Sequence, residues 1–154
     1  MSNTVTHNWI DPTQDHIDEL TATMREDDRI EVLCYGSSVK ATLQESVAHS
    51  KNAKTWIVDG HVALMCGVAM PQLLGHAIPW ALTSPIVEAH PYIFLKGSRY
   101  IVGEWKKEFS YMRNFVDSRY TKAVNWLSWL GFTIQPAIAV GPQSVLFHPV
   151  EMVS

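Results

Sequence analysis

One group of chemistry-bearing residues is Lys96-Gly97-Ser98-Arg99, where two cations and a hydroxyl stand within four positions. Such a group could hold a phosphate; the same residues also read as a solvated basic turn with a small-residue contact at Gly97 and Ser98. The remaining reactive types are dispersed. His7, His16, His49, His61, His76, His90 and His148 show no H-x-x-x-H or metal-triad spacing, so no metal site is expected. Cys34 and Cys66 lie far outside C-x-x-C spacing and suggest neither a disulfide framework nor a zinc knuckle. No G-x-S-x-G elbow and no P-loop occurs.

The residues that must position this chemistry form an apolar chain. In 154 residues, 47% are hydrophobic, 18% are charged and six are tryptophan, which argues for a packed core and against disorder. The length suits a single domain spanning 1–154. A net charge of −3 provides no field to hold a polyanion, so direct nucleic-acid binding is not expected. The start, Met1-Ser2-Asn3-Thr4, has neither a basic nor an apolar targeting segment, and no apolar run reaches the ~18 residues of a membrane span. These features point to a reducing, cytoplasmic setting.

Along the chain, Thr4 to Ile10 reads as a strand, and Asp11-Pro12 reads as the cap and first position of a helix whose apolar face is Ile17, Leu20 and Met24. Glu26-Asp27-Asp28 opens a second short helix, stopped at Gly36. Ser37-Ser38 caps a third with Val39, Leu43 and Val47 on one face. The period then becomes strand-like. Thr55 to Val58 and His61 to Val68 flank Asp59-Gly60, a hairpin signal. A strand from Ala77 to Leu82 carries Pro79, which suits a bulge or an edge. A long helix follows with the stripe Phe94, Ser98, Ile101, Trp105 and Phe109. A short strand at Asn114 to Val116 leads through Asp117-Ser118 to a helix bearing Ala123, Trp126, Leu127 and Leu130, stopped by Gly131. Phe132 to Ile134, Ala137 to Val140 and Val145 to Phe147 close the chain as strands. Alternating elements without repeats or linkers favour an α/β fold with a mixed sheet.

The stretch Ala123 to Phe132, an apolar helix ending in Leu130-Gly131-Phe132, resembles the last-helix signature of GNAT acetyltransferases, and the order of elements agrees across nearly the whole chain. The run Pro91 to Phe132, with Phe94-Leu95-Lys96-Gly97-Ser98-Arg99, Asn114-Phe115-Val116-Asp117 and Trp126-Leu127-Ser128-Trp129, is similar to GNAT-like proteins of tailed bacteriophages, including relatives of a small internal virion protein of short-tailed phages. The resemblance implies a mostly antiparallel, splayed sheet flanked by helices. In that arrangement acetyl-CoA lays its pantetheine arm beside the fourth strand, here against backbone groups of Ala81, Leu82 and Thr83 near Pro79.

Two positions depart from the family pattern. No Arg/Gln-x-x-Gly-x-Gly/Ala turn follows the fourth strand, and Lys96, Gly97, Ser98 and Arg99 are the nearest substitutes for contacting the cofactor's phosphates. Leu127 occupies the place of the tyrosine that protonates the leaving thiolate in many members, which leaves Tyr120 as the catalytic candidate. Glu88 and Asp117 have solvated-loop and helix-dipole readings respectively, so no base is assigned.

The expected function is a phage-encoded N-acyltransferase moving acetyl from acetyl-CoA to an amine. The alternative is an inactive GNAT fold serving as an internal virion or morphogenesis protein among other phage proteins, in the host cytoplasm or the virion. A homodimer seam through Trp129 or Val150-Glu151-Met152 is left open.

Overall fold

A computed structural model describes residues 4–35, 38–70 and 75–154. The expected stop at Gly36 and the cap at Ser37 lie outside them. Contacts gather into two compact units: Met1–Ala69 with Trp80–Pro91, and Met70–Pro79 with Tyr92–Ser154.

In the first unit, β1 (His7–Ile10) precedes three ten-residue helices, α1 (Gln14–Thr23), α2 (Glu26–Tyr35) and α3 (Val39–Ala48), and the hairpin of β2 (Ser50–Val58) and β3 (His61–Ala69). The apolar face of α1 is as read: Ile17, Leu20 and Met24 are buried, with Val32 of α2 and Val39 and Leu43 of α3, against Val62 and Met65 of β3. A fully buried aliphatic side chain of this kind contributes about 1.5–3 kcal/mol. The start of α1 differs from expectation. Thr13 is the N-cap, accepting from the His16 N–H while the His16 ring accepts from the Thr13 N–H. That reciprocal box outcompetes Asp11, whose carboxylate instead meets Lys54 at 2.6 Å.

The hairpin turns at Asp59 and Gly60, with φ of 49° and 81°. Both central residues are left-handed, as the mirror-image turn that matches strand twist requires. Strand β3 is buried almost throughout: it lies between β2 and the fourth strand, with α1 and α3 packed on it. The first sheet has the order β1-β2-β3-β4, where β4 spans Ile78–Thr83. A four-residue helix, α4 (Ile86–Ala89), follows; it is too short to leave a periodic signal.

The second unit contains most of α5 (Pro91–Glu108), then β5 (Tyr111–Asp117), α6 (Thr121–Leu130), β6 (Thr133–Ile134), β7 (Ile138–Val140) and β8 (Val145–Val153). Its sheet runs β5-β8-β6, with β7 also paired to β8. Helix α5 buries Ser98, Val102 and Trp105, and Phe109 just beyond it, so Val102 replaces Ile101 in the stripe. Strand β5 begins three residues earlier than read. Strand β8 runs six residues past Phe147: His148-Pro149 interrupts the polar–apolar alternation, yet Pro149 keeps register opposite Phe115. Val150 and Met152 are therefore buried in this sheet and cannot form an exposed dimer seam. Gly131 ends α6 at φ 107°, where its N–H and that of Phe132 close on the carbonyls of Ser128 and Leu127.

Candidate functional site

Strand β4 begins in the second unit and ends in the first. At its start, Ala77 bridges Met112 in parallel, the Arg113 N–H donates to the Ala77 carbonyl at 2.9 Å, and the Asn114 amide donates to the Pro79 carbonyl at 2.6 Å. Proline at 79 supplies no N–H, so a side chain reaches its carbonyl where a ladder bond would otherwise continue. Beyond this point β4 is the last strand of the first sheet, and β5 is the first strand of the second.

The end of β4 fixes the direction of its backbone groups. The Ser84 N–H donates to the Ala63 carbonyl of β3 at 2.9 Å. Thr83 faces the other way: its N–H and hydroxyl donate to Asp28, the N–H at 2.8 Å, and its carbonyl accepts from the Arg25 N–H at 2.9 Å. Backbone direction alternates along an antiparallel strand, so Ala81 shares the direction of Thr83, and Leu82 turns to β3. Of the three expected cofactor contacts, Thr83 is engaged by α2, Leu82 packs its side chain against the first core, and Ala81 presents its backbone away from β3.

Asp28 is a functional-looking group that sequence reasoning missed, since its partner lies 55 residues away. Burial pushes its carboxyl above the usual range, and the two Thr83 donors pull it partly back. Its neighbour Arg25 holds Glu88 at 2.7 Å, so Glu88 is paired rather than merely solvated.

On α5 the four phosphate candidates do not share one face: at about 100° per residue Lys96 and Arg99 fall on the outward side, and Gly97 and Ser98 turn away from it. Lys96 lies over the Tyr92 ring at 5.4 Å, and Arg99 lies over the Trp129 ring at 4.0 Å. Ser98 is buried and donates its hydroxyl to the Phe94 carbonyl at 2.6 Å. Gly97 stands between them, half-buried. The four are thus two outward cations and two packing residues.

Asp117, at the end of β5, is fully buried and grips Arg119 through two parallel bonds, Nε to Oδ1 at 2.9 Å and Nη2 to Oδ2 at 2.6 Å. Its Oδ1 also accepts the Arg119 N–H at 2.9 Å. These bonds hold the carboxyl below the usual range despite burial, so Asp117 is a structural anion and a poor base. The Asp-x-Arg spacing was the available signal. Tyr120, three residues on, takes the N-cap position of α6, and its hydroxyl oxygen is shielded from solvent. Leu127 is a half-buried leucine on the same helix, directly after Trp126, which stacks on Phe94.

Among the described residues no group of three His, Cys, Asp or Glu could hold a metal, and no helix is long and apolar enough to cross a membrane. Cys34 and Cys66 are free thiols, and burial pushes that of Cys66 up.

No protein-family model matches the sequence, and no curated protein matches it. Solved structures do. An N-acetyltransferase from Staphylococcus aureus Mu50 matches with TM-score 0.70 at 10% identity, covering 96% of this chain and 98% of that one. A GNAT-family acetyltransferase from Streptococcus agalactiae matches with TM-score 0.64 at 13% identity, over 96% and 95%. The ribosomal-protein-S18-alanine N-acetyltransferase from Escherichia coli matches with TM-score 0.57 at 9% identity, over 96% and 94%. The chain has the fold of the GNAT acyl-CoA N-acyltransferases, with antiparallel sheets flanked by helices.

Proposed function

We propose that this chain, acting as one GNAT-type domain, is a phage-encoded N-acyltransferase that moves an acetyl group from acetyl-CoA to an amine. One observation carries the reading: β4 closes one sheet and β5 opens the other, in a fold shared with acetyltransferases along 96% of the chain.

Acetyl-CoA supplies the activated thioester. Ala81 holds the pantetheine arm through its backbone N–H and carbonyl, which face away from β3, and Thr83 does not take part because α2 already uses its groups. Lys96 and Arg99 give α5 the positive charge that draws in the phosphates, while Gly97 and Ser98 keep the helix packed behind them. The amine nitrogen bonds to the acyl carbon as the carbon–sulfur bond breaks; the thiolate takes its proton from Tyr120, and the proton that the nitrogen loses restores the tyrosine, so the step balances. The Tyr120 hydroxyl that holds this proton is shielded from water.

A ligand present at 100 times its dissociation constant stabilises the folded state by about 2.7 kcal/mol. Acetyl-CoA should therefore raise the melting temperature by several degrees, with free CoA thiol released when an amine panel is added. No shift at millimolar acetyl-CoA eliminates the proposal. A second reading, an inactive fold packaged in a phage particle with other virion proteins, is favoured by Leu127 and by the internal hydrogen bond of Ser98. It predicts the chain in purified virions and no response to acetyl-CoA.

A further inference from the structure

The outward face of α5 and the outward face of α2 are complementary in both charge and apolarity. At 100° per residue, Tyr92, Leu95, Lys96, Arg99 and Tyr100 fall on one side of α5. Tyr92, Leu95 and Tyr100 are exposed, and Trp129 of α6, itself 44% exposed, joins them beneath the Arg99 guanidinium. The face carries cations and aromatic rings; Glu104 stands to one side, paired with Lys107.

On α2 the outward face is Glu26, Asp27, Ile30 and Leu33. Ile30 and Leu33 are exposed apolar residues on the turns that follow the exposed carboxylates of Glu26 and Asp27. Each of these carboxylates has a loosely placed cation, Arg25 at 3.8 Å from Asp27 and Arg29 at 4.0 Å from Glu26, and both arginines bond more closely to other groups, Arg25 to Glu88 at 2.7 Å and Arg29 to the Thr21 carbonyl at 2.8 Å. The wider charge follows the same division. The first unit has eleven acidic and five basic residues, net −6, and the second has four acidic and seven basic, net +3.

We infer that the chain self-associates, with the acidic, apolar face of α2 in one copy docking on the basic, aromatic face of α5 and α6 in a second copy. The lengths agree. Ten residues of α2 span about 15 Å, which the roughly 27 Å of the 18-residue α5 accommodates. Ile30 and Leu33 enter among Tyr92, Leu95 and Trp129, while Glu26 and Asp27 meet Lys96 and Arg99. The two faces differ, so the contact is heterologous: it closes as a dimer only if both copies exchange it, and otherwise continues into longer species.

Sedimentation velocity of the full chain, without ligand, tests this. Association should be present in 0.1 M NaCl and weaken sharply in 1 M, where the screening length falls from about 10 Å to about 3 Å. The charge-swapped variants Glu26→Lys/Asp27→Lys and Lys96→Glu/Arg99→Glu should each associate about tenfold more weakly or worse, and their equimolar mixture should recover the association. Because these substitutions are exposed, far-UV circular dichroism should be unchanged; Leu33→Ser provides a second variant that breaks the contact without altering charge. A wild-type chain that stays monomeric, an association indifferent to salt and to both swaps, or a mixture no better than its components overturns the inference.

Discussion

Asp28, in the first turn of α2, and Asp117, at the end of β5, lie one in each unit, and their surroundings drive them in opposite directions. Asp28 accepts from neutral donors, the N–H and hydroxyl of Thr83, with Arg25 and Asp27 as lesser and opposed charges, and burial dominates, so its carboxyl favours the protonated form more than a free aspartate does. Asp117 is covered completely but faces a guanidinium in bidentate geometry, and it stays ionised. Burial alone does not decide the charge of a carboxylate; the formal charge of its hydrogen-bonding partner does. The same contrast marks the units as wholes, since the first holds its core together with side chains from three helices and a strand, while the second stakes part of its stability on a buried ion.

The largest effect should come from the first unit's core. Leu20→Ala removes a fully buried side chain and should cost about 3–5 kcal/mol in urea unfolding, with the midpoint shifted and the slope unchanged. Arg119→Ala should cost about 3 kcal/mol, the low end for breaking a buried pair, because Arg119 is itself 59% exposed while Asp117 is not. If the two aspartates were alike, the Arg119 change would be as mild as a surface substitution.

Next in size, Gly131→Ala places a Cβ at φ 107° and should cost about 1–2 kcal/mol. The Met152 Cε at 3.6 Å is an ordinary contact, so strain and not collision sets the loss.

The smallest effect is the most discriminating. The Asp117 carboxyl is lowered on folding, so its contribution is present above the ordinary aspartate pKa of about 3.9 and is lost as pH falls through its folded value. The Asp28 carboxyl is raised, so its contribution is complete below that pKa and is lost as pH rises through its folded value. Stability measured against pH should therefore lose part of its acid limb in Asp117→Asn and part of its decline toward neutral pH in Asp28→Asn. Matching profiles for the two variants would erase the comparison.

What the sequence disclosed was local. The face Ile17, Leu20 and Met24 and the turn at Asp59-Gly60 follow from helical period and from residues that tolerate positive φ, and both stand as read. The full length of β8 was hidden because His148-Pro149 breaks the pattern that identifies a strand, although pairing with β5 carries it through. The engagement of Thr83 by α2 joins positions 55 apart and leaves no trace in spacing. Lys96 to Arg99 look like a single cluster when written as letters, yet the helix keeps Lys96 and Arg99 on its outward side and turns Ser98 into the core.

Hydrogen exchange across β4, measured with and without saturating acetyl-CoA, addresses the thioester arm most directly. Protection of the Ala81 amide on ligand addition, with Thr83 unchanged because Asp28 already binds its N–H, is the predicted result. Exchange at Ala81 that is identical in both conditions, with acetyl-CoA demonstrably bound, would contradict the placement of the arm along this strand.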